Sequence, residues 1–123
     1  MRIADMIPRR RSVRAYRAER IDNAVLADLL RRMEALVPLI PGAKVAGRII
    51  PTDHGSFLQK WKTPHFIAIF SDGSDDGLLN AGFMYQQLDL YAQSIGLGTC
   101  WVGLGSLEGG EPIPAGMKGA ASL

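Results

Sequence analysis

One cysteine, Cys100, is all the chain has, so no intramolecular disulfide can staple it. Its two histidines, His54 and His65, offer no paired metal-ligand spacing, which sets zinc and disulfide scaffolds aside. Long apolar runs are missing too: none approaches the ~18–20 residues of a membrane span. Charges occupy the start of the chain, where a signal peptide would need an apolar stretch, so the expected address is cytoplasmic, with no membrane partner. Aromatic residues make up only 7% of the sequence, and few of them accompany its arginines. What is present is ordinary for a globular protein: 47% hydrophobic and 21% charged residues argue against both disorder and a fibrous repeat. At 123 residues and 13.4 kDa there is room for one domain, 1–123, around one core, and no internal repeat divides it.

The formal charge of +2 conceals an asymmetry. The first twenty residues hold seven arginines (Arg2, Arg9, Arg10, Arg11, Arg14, Arg17, Arg20) against Asp5 and Glu19, a net of +5. Seven basic and ten acidic residues remain for the rest of the chain, a net of −3. Basic charge gathered at one end suits phosphate, nucleic acid or an acidic surface, or else forms a solvated face.

Apolar periodicity organises the remainder. Ile3, Met6 and Ile7 fit a short helix that Pro8 stops. Asp22 is a credible N-cap for a helix to about Val37, whose stripe is Val25, Leu26, Leu29, Leu30, Met33 and Leu36/Val37, with Pro38 ending it. Residues 38–51 read as a loop with one extended piece at Arg48-Ile49-Ile50, and 55–61 as one or two helical turns. His65-Phe66-Ile67-Ala68-Ile69-Phe70 is apolar throughout and reads as a central strand buried on both faces. After the turn cluster 71–76, Asp75 or Asp76 offers an N-cap for a long helix. Ala81, Met84, Leu88, Tyr91/Ala92 and Ile95 form its core face, and Leu79, Phe83 and Leu90 make a second apolar line. Covering on two sides, by its own domain and by a partner or cofactor, is therefore expected. Gly96 stops this helix in the left-handed conformation, Gly98 loosens the chain again, and Thr99-Cys100-Trp101-Val102 continues as a strand to Gly103. Residues 117–123 begin like another strand. Strand, long helix and strand in sequence suggest layered α/β or α+β architecture, with a sheet order that is not readable.

Two stretches carry chemistry. In Arg9-Arg10-Arg11-Ser12-Val13-Arg14, guanidinium groups and a hydroxyl suit forked hydrogen bonds to phosphate; if the segment is extended, residues 10, 12 and 14 project to one side and could converge on one anion. In Gly96-Leu97-Gly98-Thr99-Cys100-Trp101-Val102-Gly103, a bare backbone leads from helix to strand, the reverse of the strand-to-helix order of a dinucleotide loop. Its plainer reading is a helix cap followed by a buried strand. Cys100 has no histidine near it in sequence and reads as buried and inert; His65 reads as a core or edge histidine.

On these residues the chain resembles the FMN-dependent nitroreductase family, which reduces nitro compounds and quinones. The resemblance rests on Arg10-Arg11-Ser12-Val13-Arg14-Ala15-Tyr16 and on Asn80-Ala81-Gly82-Phe83-Met84 running to Gly96–Gly103, and is nearest to the variant related to a thermophilic nitroreductase domain. It implies an α+β nitroreductase-like fold, helices packed on a small central sheet, here incomplete at the C-terminus because members of the family continue beyond Leu123. It implies that Arg10, Ser12 and Arg14 hold the FMN phosphate and ribityl oxygens, with Arg11 contributing side-chain or backbone contacts. Trp101, Val102, Gly103 and Leu104 would lie along the isoalloxazine ring. The implied cycle is ping-pong, NAD(P)H giving hydride to the flavin before a small-molecule electron acceptor takes the electrons, and the implied assembly is a homodimer. No catalytic side chain is implied, because the flavin carries the chemistry. In place of the family's Ser/Asn-rich segment before a Pro-Trp stands Val37-Pro38-Leu39-Ile40-Pro41.

Two other classes compete with the oxidoreductase. A small anion- or nucleic-acid-binding domain would use the arginine segment and bind salt-sensitively; scarce aromatics and the acidic remainder argue against it. A non-catalytic remnant would pair an exposed sheet edge with another copy.

Overall fold

The computed structural model describes residues 2–13, 21–51, 65–101 and 118–122. The helical turns expected at 55–61 lie outside them. Three strands, β1 (Val45–Pro51), β2 (His65–Ser71) and β3 (Lys118–Ser122), form an antiparallel sheet in that order. Two helices, α1 (Asn23–Glu34) and α2 (Asp75–Ser94), and a single 3₁₀ turn at Ile3–Met6 complete the described elements.

The unbroken apolar run of β2 does place it centrally, with every residue from Phe66 to Ser71 buried. β1 pairs along its whole length, from Val45 opposite Ser71 to Pro51 opposite His65. The extended piece expected at 48–50 is therefore longer, and its proline sits at the strand's last position, where a missing N–H does least harm. β3 lies on the other side with a register shift between Ile69 and Phe70. Side chains of β2 divide by their two-residue alternation. Ile67 and Ile69 join Leu29, Leu36, Ala81, Tyr85, Leu88 and Ala92 in the main core, while Phe66, Ala68 and Phe70 meet Ile50 on the opposite face.

Asp22 caps α1 as expected, its carboxylate accepting from Ala24 N at 3.5 Å. The helix ends at Glu34, short of Val37. Pro38 disfavours helical geometry at Val37, and the Val37 backbone bonds instead to Gln87 on α2, through its N–H at 3.2 Å and its carbonyl at 2.8 Å. Leu29, Met33 and Leu36 face the core, but Leu30 and Val37 are exposed and leave the expected stripe.

The N-cap of α2 is Ser74 rather than Asp75 or Asp76. Its hydroxyl accepts from Gly77 N at 3.0 Å and is itself held by Asp72, which accepts from Ser74 N at 2.9 Å and Ser74 Oγ at 2.6 Å. Those two bonds keep the Asp72 carboxyl below its ordinary range. Asp75 and Asp76 occupy the first turn, favourably placed against the helix dipole. The helix's core line is Ala81, Tyr85, Leu88 and Ala92; Met84 is half-buried and Ile95 exposed. Of the second apolar line only Leu90 is buried, Leu79 and Phe83 being exposed. Tyr85 lies so close to β1 that a Cβ on Gly47 would stand 2.7–2.8 Å from its ring carbons, which explains a glycine in mid-strand. Gly96 closes the helix at φ +90°, the left-handed conformation that glycine adopts freely.

Candidate functional site

The two stretches that sequence marks as chemical meet in space. Ser12 and Thr99 form an isolated parallel bridge, and Val13 N donates to Thr99 O at 2.8 Å. The strand expected at 99–102 thus pairs, over its described part, with the N-terminal segment rather than with the sheet. Gly98 permits this approach: a Cβ there would lie 2.8–3.1 Å from side-chain atoms of Val13. Its φ is not in the left-handed region, so its role is close contact and not the loosened backbone expected from sequence.

What holds the two stretches together is a polar stripe on α2. Gln86, Asp89 and Gln93 are spaced by three and four residues and so share one face of the helix. Asp89 is completely buried. One carboxylate oxygen accepts from Arg10 Nε at 2.5 Å and Gln86 Nε2 at 3.0 Å; the other accepts from Arg10 Nη2 at 3.4 Å and from the Thr99 hydroxyl. Burying a carboxylate is costly unless charge and donors compensate it, and here a guanidinium with 17% of its side chain exposed and two neutral donors do so. Gln93 links the same two segments again, donating to Arg11 O at 2.6 Å and Thr99 Oγ1 at 2.8 Å and accepting from Arg11 N at 3.3 Å. Gln86 completes the set, its amide oxygen accepting from Trp101 Nε1 at 2.9 Å.

Each residue expected at the site can be placed against this frame. Arg10 is drawn inward to Asp89, with Nη1 donating to Ser12 Oγ at 3.1 Å. Arg11 has its backbone tied to Gln93 and is exposed. Ser12 is exposed at the bridge, and Trp101 is half-buried against the core. Arg14, Val102, Gly103 and Leu104 lie outside the described residues. Cys100 is buried, as its sequence setting suggests. Asp89, Gln86 and Gln93 escape an apolar-periodicity reading because it treats polar positions on a helix as solvent-facing. The available signal is their regular three-and-four spacing within a helix already assigned to the core.

A second polar pair, Asn80 and Gln87, holds the segment that replaces the Ser/Asn-rich pattern. Asn80, also fully buried, accepts from the N–H groups of Leu39 and Ile40 and donates to the carbonyls of Ile40 and Ala43. Between the helices, the Tyr91 hydroxyl donates to Asp28 while Arg32 lies 4.7 Å over the Tyr91 ring. The bond to Asp28 raises the Tyr91 phenol above its usual range, since ionisation would set two anions side by side.

A family model described as "Putative TM nitroreductase" matches residues 2–109. Among solved structures, the chain is similar to a nitroreductase family protein from Clostridium novyi NT, at 15% identity and TM-score 0.73, covering 99% of this chain and 82% of that one. An FMN-dependent nitroreductase from Clostridium difficile R20291 aligns at 16% identity and TM-score 0.70, over 95% and 82% of the two chains. A protein from Bacteroides thetaiotaomicron VPI-5482 titled "Putative NADH dehydrogenase/NAD(P)H nitroreductase" aligns at 16% identity and TM-score 0.73, over 98% and 82%. A comparison with curated protein sequences finds no match. The structural likenesses, at these identities, establish a shared nitroreductase-like α+β fold. With the family model running from residue 2 to residue 109, through both site segments and the helix that joins them, the chain belongs to the nitroreductase family.

Proposed function

We propose that the chain is an FMN-binding oxidoreductase of nitroreductase type, reducing nitro compounds or quinones with electrons from NAD(P)H in a ping-pong cycle. The observation that carries this reading is the Ser12–Thr99 bridge, which puts a phosphate-suited segment directly beside a segment suited to a flat ring. The exposed Ser12 hydroxyl and Arg11 guanidinium fit a phosphate as donor and cation. Trp101, fixed by Gln86, sets the position from which the following backbone leaves. Arg10 sits between them, and Arg14, Val102, Gly103 and Leu104 complete the proposed binding set through their match to the family pattern. Bound there, FMN supplies the electron transfer, and the chain binds and orients it.

The whole chain, 1–123, is proposed as one domain acting in the cytoplasm on small-molecule acceptors. A homodimer is the proposed assembly: Leu79 and Phe83 stand one helical turn apart on α2, exposed alongside Val37 and Leu39, an apolar surface a second copy would cover. Nucleic acid fits less well, because Asp89 takes the Arg10 charge out of any basic surface.

An absorbance spectrum recorded with and without added FMN, together with a size measurement, tests the reading. A yellow dimer that oxidises NAD(P)H in the presence of a nitroaromatic or quinone is expected. Colourless protein that takes up no FMN refutes it.

A further inference from the structure

Resting on the flavin reading above, we propose that Asp89 is the positioning residue of the site and that Arg10 serves with it as a strut rather than as a phosphate ligand. Each side-chain nitrogen of Arg10 makes a bond within the protein, Nε and Nη2 to the buried carboxylate and Nη1 to Ser12 Oγ, which fixes the plane of the guanidinium and leaves one N–H on each Nη. The pair is neutral as a unit, so it adds little net attraction for a phosphate that carries about −1.5 to −2 charges. What the pair does is geometric. Through Arg10 it sets the Ser12 hydroxyl; through Thr99 it sets the facing segment; through Gln86 it reaches the Trp101 indole. Asp89 lies inside the helix and at no described point faces outward, being 0% exposed, so its influence on a ligand is carried by these partners. Within the described part of the proposed binding set, the charge offered to phosphate then falls to Arg11, whose guanidinium is exposed while its backbone is held by Gln93.

FMN and riboflavin, which differ only by the phosphate, separate the two roles. Their dissociation constants are measured by quenching of flavin fluorescence on the full chain for wild type, Asp89→Asn, Arg10→Gln, the double variant and Arg11→Ala. Asp89→Asn and Arg10→Gln are expected to weaken both flavins by the same factor, about tenfold or more, as befits loss of a hydrogen-bonded charge. The double variant is expected to be no weaker than the worse single variant, because both remove one unit. Arg11→Ala is expected to weaken FMN alone. Asn80→Ala, which destabilises the fold away from these segments, is the control for stability and is expected to keep both affinities. If Asp89→Asn does not fold, Thr99→Val carries the test, removing one donor to the carboxylate while sparing the ion pair; an equal, smaller loss for both flavins is expected. Loss confined to FMN in Asp89→Asn or Arg10→Gln, or unchanged affinities in every folded variant of the pair and of Thr99, overturns the strut. Wild-type protein that binds neither flavin overturns the flavin reading itself, and the strut's role with it.

Discussion

Asn80→Ala should cost far more than its single amide suggests. The side chain is fully buried and makes four hydrogen bonds: from Leu39 N at 3.0 Å, from Ile40 N at 2.8 Å, to Ile40 O at 2.8 Å and to Ala43 O at 3.1 Å. Net values of about 0.5–1.5 kcal/mol per neutral bond set a floor of roughly 2 kcal/mol, and a buried group left without a partner costs about 1–3 kcal/mol. Leu39 is exposed, so water can reach part of the segment, and the loss should settle near 3 kcal/mol, a fall in Tm of roughly 10 °C. Asn80→Asp sharpens the test at nearly constant volume. One oxygen still accepts from the two N–H groups, but the other replaces a donor to two carbonyls. The introduced carboxyl then favours its neutral form when folded, so its folded pKa lies above the unfolded value. Its stabilising share is present at acid pH and is lost as pH rises through the folded value. Urea denaturation should therefore find Asn80→Asp much less stable than wild type at about pH 7, with the gap narrowing toward about pH 4. A loss under about 1 kcal/mol for Asn80→Ala, or a pH-independent gap for Asn80→Asp, refutes the reasoning.

Two further perturbations test the packing behind the site. Burial pushes the Tyr85 phenol up to about 12. Because the folded value is raised, this group's contribution is complete below about pH 10 and is lost as pH climbs to about 12, lowering unfolding free energy by about 2–3 kcal/mol across that window. Tyr85→Phe should flatten most of that slope, leaving what Tyr91 contributes, and an unaltered slope in denaturant titrations counts against the burial argument. Gly98→Ala should cost about 1–3 kcal/mol by driving a methyl into Val13. Val13→Ala in the same chain should return part of it, and a double variant no more stable than Gly98→Ala refutes the contact.

How much of this was legible in the sequence varies by element, for physical reasons. β2 was readable because a strand buried on both faces needs an unbroken apolar run, and 66–70 supply one. α1 was readable at its start, where Asp22 caps it, but not at its end, which Gln87 decides from fifty residues away in sequence. Both site segments could be picked out, since arginines and glycines announce themselves by type. Their joint could not, because Thr99 reads as the start of a strand and its actual partner, Ser12, is non-local. Gly98 suggests backbone freedom when seen in sequence alone, whereas the constraint comes from a side chain in a distant segment.

α2 itself shows why apolar periodicity leaves part of the helix's circumference unread. A helix packed on a sheet by one face leaves other faces to whatever the connecting segments bring, and those segments bring unpaired backbone groups. Polar side chains at measured intervals can satisfy such groups where more leucine could not. Asn80 and Gln87 do this for 37–43, and Gln93 does it for Arg11, while Asp89 adds a charge that Arg10 balances. The buried polar residues are therefore what turns a generic core helix into the part that aligns two otherwise independent loops. On that argument, replacing Gln86, Asp89 and Gln93 together with leucines of similar size should leave α2 helical by circular dichroism while releasing the 10–13 and 99–101 segments from one another.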